Sequence, residues 1–145
     1  MKQEIKLNDD HFCFACGHNN PNGLQLKFTY PQPGTCRAGF VPGQKYQGWK
    51  GILHGGIIST LLDEALAHAV GGAEGGGGAS GAVTAELTVR FKKPVRIGSK
   101  IVLSGKVEKD NGKIVEASSE ITDETGMVLA CARGKLVRPA VKFGP

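Results

Sequence analysis

The chain predicts an α+β domain in which one long helix packs on an antiparallel sheet. Three observations carry this. The segment "GILHGGIISTLLDEALAHAV" (51–70) spaces its apolar residues as a helix does. The segments on either side alternate apolar and polar residues as strands do. Turn signals, above all "DNG" at 110–112, separate the segments that follow it. A single helix among antiparallel strands is an α+β pattern. With 145 residues and 40% hydrophobic content, the chain is long and apolar enough to bury one core. We read 1–145 as a single domain, with a polar, turn-rich N-terminal segment at 1–23 and the core at 24–145.

The elements follow in order. "LQLKFTY" (24–30) alternates like a strand and is broken by "PQPG". "TCRAGFV" (35–41) is a second strand, and "PGQKYQGWKG" (42–51) is a loop. The helix runs from about Leu53 to Val70. "GGAEGGGGASG" (71–81) is too rich in glycine for a stable helix or strand, since glycine loses the most backbone entropy on ordering. It reads as a connector, with an active-site flap as the alternative. A four-strand meander then closes the chain: "AVTAELTVRF" (82–91), "SKIVLSGKVEK" (99–109), "KIVEASSEIT" (113–122) and "MVLACARGKLV" (127–137).

The helix raises a chemical question. Ile57, Ile58, Leu61, Leu62, Ala65, Leu66 and Ala69 fall on one half, wide enough to fill a sheet's hollow. Ser59, Thr60, Asp63, Glu64 and Ala67 fall on the other, with no lysine or arginine to partner the acids. That half resembles a lined site more than a solvated face. The helix also opens on Gly55-Gly56, without a usual capping residue. Its first N–H groups lack intrahelical partners, and the dipole makes that end positive. Such an end can hold a carbonyl oxygen as it gains charge; a tight packing turn is the other reading. Asp63 has the chemistry of a general base or nucleophile, against a plain solvated acid. Eight residues separate it from Gly55, about 12 Å along a helix axis. The two can meet one substrate atom only across a two-fold axis, so this reading requires a dimer. His54 either orients substrate or closes the turn, His68 is a core or interface histidine, and Thr84 either helps to position Asp63 or is solvated.

Charge is unevenly placed. No basic residue lies between Lys50 and Arg90, whereas Arg90, Lys92, Lys93, Arg96, Lys100, Lys106, Lys109 and Lys113 follow, opposed only by Glu108 and Asp110. These are solvated strand faces or a site for an anionic ligand. No nucleic-acid-binding signature accompanies them, so a phosphorylated small molecule is the expected ligand, not nucleic acid. "MKQEIKLNDDHFCF" has no apolar signal core and no run reaches the length of a membrane span, so the expectation is a cytoplasmic protein with no membrane contact. Cys13-x-x-Cys16 has His11 and His18 beside it but no second such pair. A compact turn is expected there, and no metal is assigned.

"GILHGGIISTLLDEA", the later "TAELTVRFKKPVRIG" and the opening "CFACGHNNPNGL" together resemble the hotdog-fold acyl-CoA thioesterases, in the branch named for the phenylacetate-pathway (PaaI-like) enzyme. The resemblance covers nearly the whole chain. It implies a central helix wrapped by a curved antiparallel sheet of five to six strands, dimers that join their sheets, and dimers pairing into tetramers. It implies that the Gly55 N–H polarises a thioester carbonyl, with Gly56 beside it. Asp63 of the partner chain then activates water or attacks, and Thr84 stands near that acid. Lys92, Lys93 and Arg96 fall where the coenzyme A nucleotide is held. No cofactor is implied beyond the coenzyme A of the substrate. One departure is Gly48, where many relatives carry an Asn or Gln that places water. Tyr46 and Trp49 precede the helix and are candidate lining for the acyl pocket. Two other readings stand: a non-catalytic acyl-CoA-binding module, and a hotdog hydratase. The latter is suggested by the five-residue spacing of Asp63 and His68, although the rest of the hydratase motif is absent.

Overall fold

The computed structural model describes residues 7–73 and 81–138. Strand β1 (Thr35–Phe40) is followed by a short 3-10 turn and helix α1 (Gly55–Ala73). Strands β2 (Val83–Phe91), β3 (Ile101–Asp110), β4 (Ile114–Thr122) and β5 (Val128–Val137) complete the chain. All pair antiparallel in one five-stranded sheet of order β1-β3-β4-β5-β2. The helix packs against all five strands. This is the expected α+β architecture, and three local expectations are corrected.

First, 24–30 is not a strand. Its backbone hydrogen bonds go to the N-terminal segment, from Leu24 N–H to the Phe14 carbonyl and from Leu26 N–H to that of Ala15. Gln25 adopts a left-handed φ of 51° that interrupts the pleat. Only Thr29 pairs with the sheet, in an isolated bridge to Arg37. Second, the last four strands are not a simple meander. β2 pairs with β5, and β1 takes the place beside β3. The reason lies in residues 92–100, which do not turn back on β2. They run past the start of the helix, where the Leu53 N–H reaches the Val95 carbonyl and the Ile97 N–H reaches that of Gly51. Val95 is fully buried and anchors this crossing. Third, of the two starts the sequence suggests, about Leu53 and Gly55-Gly56, the helix takes the second, because Leu53 and His54 still donate their N–H groups to Val95 and Tyr46. It also runs on through Gly71 and Gly72 to Ala73. A Cβ at Gly72 would lie 2.9 Å from the Thr35 carbonyl, so close passage over β1 requires glycine there. The remainder of the glycine run, 74–80, lies outside the described residues.

The apolar half of the helix does what its spacing predicts. Leu61, Leu62, Ala65, Leu66 and Ala69 are completely buried against Leu103, Val115, Ile121 and Leu136 of the sheet. Each such leucine contributes about 1.5–3 kcal/mol of transfer free energy. Gly105 and Gly134 let the helix approach: a Cβ at Gly105 would sit 2.2 Å from the Ala65 carbonyl oxygen, and one at Gly134 2.5 Å from a Leu66 methyl. Buried Ser119 donates to the Leu62 carbonyl at 2.9 Å, tying β4 to the helix. Among the described residues no helix is long and apolar enough to cross a membrane.

Candidate active site

The bare helix start is capped by the histidine before it. His54 Nδ1 accepts the Gly56 N–H at 2.8 Å, and the His54 carbonyl accepts the N–H groups of Ile57 and Ile58. Of the first four helical N–H groups, that of Gly55 donates no hydrogen bond among the described residues. His54 therefore closes the turn. Gly56 is spent on the cap, and Gly55 is the donor left for a ligand. Gly48 fits this arrangement, because a Cβ there would press within 3.3 Å of His54 Cα. Gly48, Trp49, Ile52, Leu53, His54 and Gly55 line an open cavity of about 430 Å³. Trp49 is 86% exposed beside it, while Tyr46 turns inward against the core and donates to the Gly23 carbonyl.

Asp63 stands two turns further along, half-buried at the β2 edge. Thr84 Oγ1 donates to Asp63 Oδ1 at 2.7 Å. Burial pushes the Asp63 carboxyl above the usual aspartate range, the Thr84 hydrogen bond opposes that shift, and the neighbouring Glu64 charge adds to it. A raised carboxylate is a stronger base than a solvated one. The aim of Thr84 depends on an irregularity of β2. Simple alternation would put Val83 and Ala85 on the inner face. The register against β5 slips between Thr84 and Glu86, so Thr84 instead shares the buried Leu136 position and Leu87, Val89 and Phe91 continue that face. A bulge of this kind re-aims one side chain at the cost of local pairing.

The two ends of β2 hold the two halves of the candidate site. Thr84 and Asp63 lie at its start. At its end, an added Cβ on Gly55 would meet the Phe91 ring at 3.5 Å. Lys92, Lys93 and Arg96 leave the strand from that same end, all exposed. Arg96 pairs with Ile52 in an isolated bridge, which brings it to the loop carrying Trp49. Within one chain, therefore, Gly55 and the basic residues cluster together, and Asp63 with Thr84 forms a separate group.

His68 is buried, as expected of a core histidine. It stacks on Phe28 at 4.0 Å between ring centroids, and its Nδ1 lies 2.8 Å from the Tyr30 hydroxyl. Sequence reasoning did not foresee the surroundings of Glu64. Its Oε1 accepts from Cys13 Sγ at 3.7 Å. Its Oε2 lies 3.2 Å from His68 Nε2, in a geometry that falls short of a hydrogen bond. Nothing in the spacing of Cys13 and Glu64, 51 residues apart, signals this contact.

The chain is similar to several known proteins. Over 94 residues it is 34% identical to acyl-coenzyme A thioesterase THEM4 of Xenopus laevis, covering 62% of this chain and 38% of that protein. It thus spans well under half the length of that curated relative. Its fold superposes on a crystal structure described as a thioesterase superfamily protein with a TM-score of 0.76 and 27% identity, covering 88% of this chain and 60% of that one. It superposes on the PaaI protein of E. coli from the phenylacetic acid degradation operon with a TM-score of 0.70 and 22% identity, covering 79% and 84%. Residues 50–130, which hold the helix, the capped glycines, Asp63 and the basic crossing, match the thioesterase superfamily, and the chain belongs to that family.

Proposed function

We propose that the protein is an acyl-CoA thioesterase of the PaaI-like branch, with its active site shared across a two-fold axis. The observation that carries this reading is the division of the site between the ends of an edge strand. β2 is exposed along most of its length and pairs on one side only among the described residues. A long, unpaired edge invites a second strand. If two copies pair their β2 strands antiparallel about the point between Leu87 and Thr88, Thr84 of one comes opposite Phe91 of the partner subunit. Asp63 and Thr84 of one chain then face the Gly55 N–H and the basic crossing of the other. Such an isologous pairing builds two identical sites.

In each site the Gly55 N–H polarises the thioester carbonyl and holds the oxygen as it becomes negative. Asp63 either takes the proton of an attacking water or attacks the carbonyl carbon itself, forming an anhydride that water then opens. The C–S bond breaks, coenzyme A leaves as a thiolate that gains a proton, and the acid is released. Thr84 holds the carboxylate in place. Lys92, Lys93 and Arg96 attract the coenzyme's phosphates.

Two rival readings are less well supported. A pure binding module needs no base held by a hydroxyl beside the carbonyl. A hydratase would use Asp63 with His68, but the two side chains turn to different partners, Asp63 to Thr84 and His68 to Phe28, Tyr30 and Glu64.

The test combines two inactive variants. Gly55→Val obstructs the carbonyl site and Asp63→Ala removes the acid. In a mixed dimer one site receives both lesions and the other neither, so co-expression restores up to about half the wild-type rate per mixed dimer. Variants that fold and mix without recovering activity place the whole site within one chain. A thiol-release assay across short, medium, long and aryl acyl-CoAs identifies the acyl group.

A further inference from the structure

The fold places the Cys13-x-x-Cys16 turn against Glu64, on the helix flank that the proposed hydrolysis does not use. The ligating atoms of Cys13, Cys16 and Glu64 all lie within 4.8 Å of one another. We propose that these three side chains form a binding site for a thiophilic divalent cation of the zinc class, one that clamps the N-terminal segment to helix α1.

Geometry is the first argument. In a tetrahedral site with Zn–S of about 2.3 Å and Zn–O of about 2.1 Å, the S···O edge is about 3.6 Å and the S···S edge about 3.8 Å. The observed separation of Cys13 Sγ and Glu64 Oε1 is 3.7 Å. The Cys13–Glu64 edge therefore already stands at coordination spacing, and Cys16 lies within 4.8 Å of both. Two thiolates and a carboxylate are also a donor set that selects a soft ion over calcium or magnesium.

The surroundings are the second argument. The Ala15 N–H donates to Cys13 Sγ at 3.4 Å, which holds the sulfur in place within the turn. The turn is closed by the Gly17 N–H on the Cys13 carbonyl, and a Cβ at Gly17 would lie 2.3 Å from the Cys13 nitrogen. Glycine directly after the second cysteine is thus a requirement of the turn. On the other side, Glu64 Oε2 faces His68 Nε2 at 3.2 Å. That nitrogen belongs to a residue only 5% exposed and has no hydrogen-bond partner. A buried imidazole facing the second oxygen of a ligating carboxylate is placed as an outer-shell partner. Tyr30 holds the far ring nitrogen of that imidazole. With three protein ligands, a solvent molecule completes the tetrahedron.

The experiment uses the whole chain, purified under reducing conditions and stripped with chelator, with cobalt(II) and zinc(II) as probes. Cobalt is expected to bind one ion per chain and to give an intense near-ultraviolet thiolate-to-cobalt band with the visible bands of a tetrahedral centre. Zinc displaces it. Zinc also protects Cys13 and Cys16 together from alkylation, read by mass spectrometry on the unmodified sequence, while Cys131 is not protected. C13S and C16S remove the thiolate band, and E64Q weakens zinc binding by at least the roughly tenfold that loss of an outer-shell partner costs. H18A leaves binding unchanged. The proposal is overturned if the reduced protein takes up no stoichiometric cobalt, if binding persists without protecting both cysteines, or if H18A abolishes it. These readouts do not depend on hydrolysis, so the thioesterase reading can fail while this one stands, and the reverse.

Discussion

Asp63 and Glu64 are adjacent acids on one helix, yet they serve two different regions. One residue turns a helical position by about 100°, and here that turn separates a sheet edge from a polar knuckle. Asp63 faces the start of β2, where its partner is a single hydroxyl at 2.7 Å. Glu64 faces the N-terminal segment, where a thiol and a buried histidine approach its two oxygens. The β2 edge is open and exposed, whereas the knuckle is closed by backbone bonds to residues 24–26. A carboxylate at an open edge is available to a substrate. One enclosed by the chain's own thiols and imidazole is available for holding structure together. Neighbouring residues of like chemistry thus acquire separate surroundings from the direction in which each points.

The largest test of this difference is to neutralise each acid in turn. Asp63→Asn is expected to lower kcat for acyl-CoA by about 10²–10⁴, the range of a general acid–base group, with little change in the thermal midpoint. Glu64→Gln is expected to lower kcat at least tenfold less than Asp63→Asn does. Its main effect is a loss of about 1 kcal/mol of stability, because a part-buried acceptor is weakened. Thiol-release kinetics and thermal melts on both variants decide the matter. Equal losses of turnover would erase the distinction between the two regions.

A smaller effect sharpens the reading of the edge. Thr84→Val keeps the shape at the bulge and removes the donor to Asp63. The expected result is a fall of at least about tenfold in kcat, since one hydrogen bond to a charged group contributes about 1.5–3 kcal/mol. Thr84→Ser restores most of it. A serine variant as poor as valine would show that Thr84 acts by packing alone.

The smallest effect concerns the far end of β2. Replacing Lys92 and Lys93 together by glutamine is expected to raise KM for acyl-CoA severalfold, and less for an acyl-pantetheine that lacks the nucleotide. Added salt reduces the gap between the two substrates, because exposed charge pairs are screened. Equal shifts in KM for both substrates would separate these lysines from the coenzyme.

By itself the sequence determined the class of fold, the helix with its buried stripe, the hairpin turns and the residues singled out for the candidate site. These are local properties. The apolar spacing of Leu61, Leu62 and Leu66 needs no knowledge of the sheet to predict which face is buried. Asp110 and Asn111 accept the backbone N–H groups that close the β3–β4 turn, as "DNG" foretells. Tertiary structure alone decided three things. It sent residues 92–100 across the helix start, where Val95 is fully buried and its carbonyl accepts the Leu53 N–H. It used the backbone of 24–26 to close the knuckle, so a strand-like alternation made no strand. It also aimed the side chains of the candidate sites: His54 onto the Gly56 N–H, Thr84 through a one-residue slip onto Asp63, and Cys13 onto a glutamate 51 positions away. Periodicity reports which face a residue shares with its near neighbours. Contacts between distant segments arise from packing the whole domain, and no local pattern encodes them.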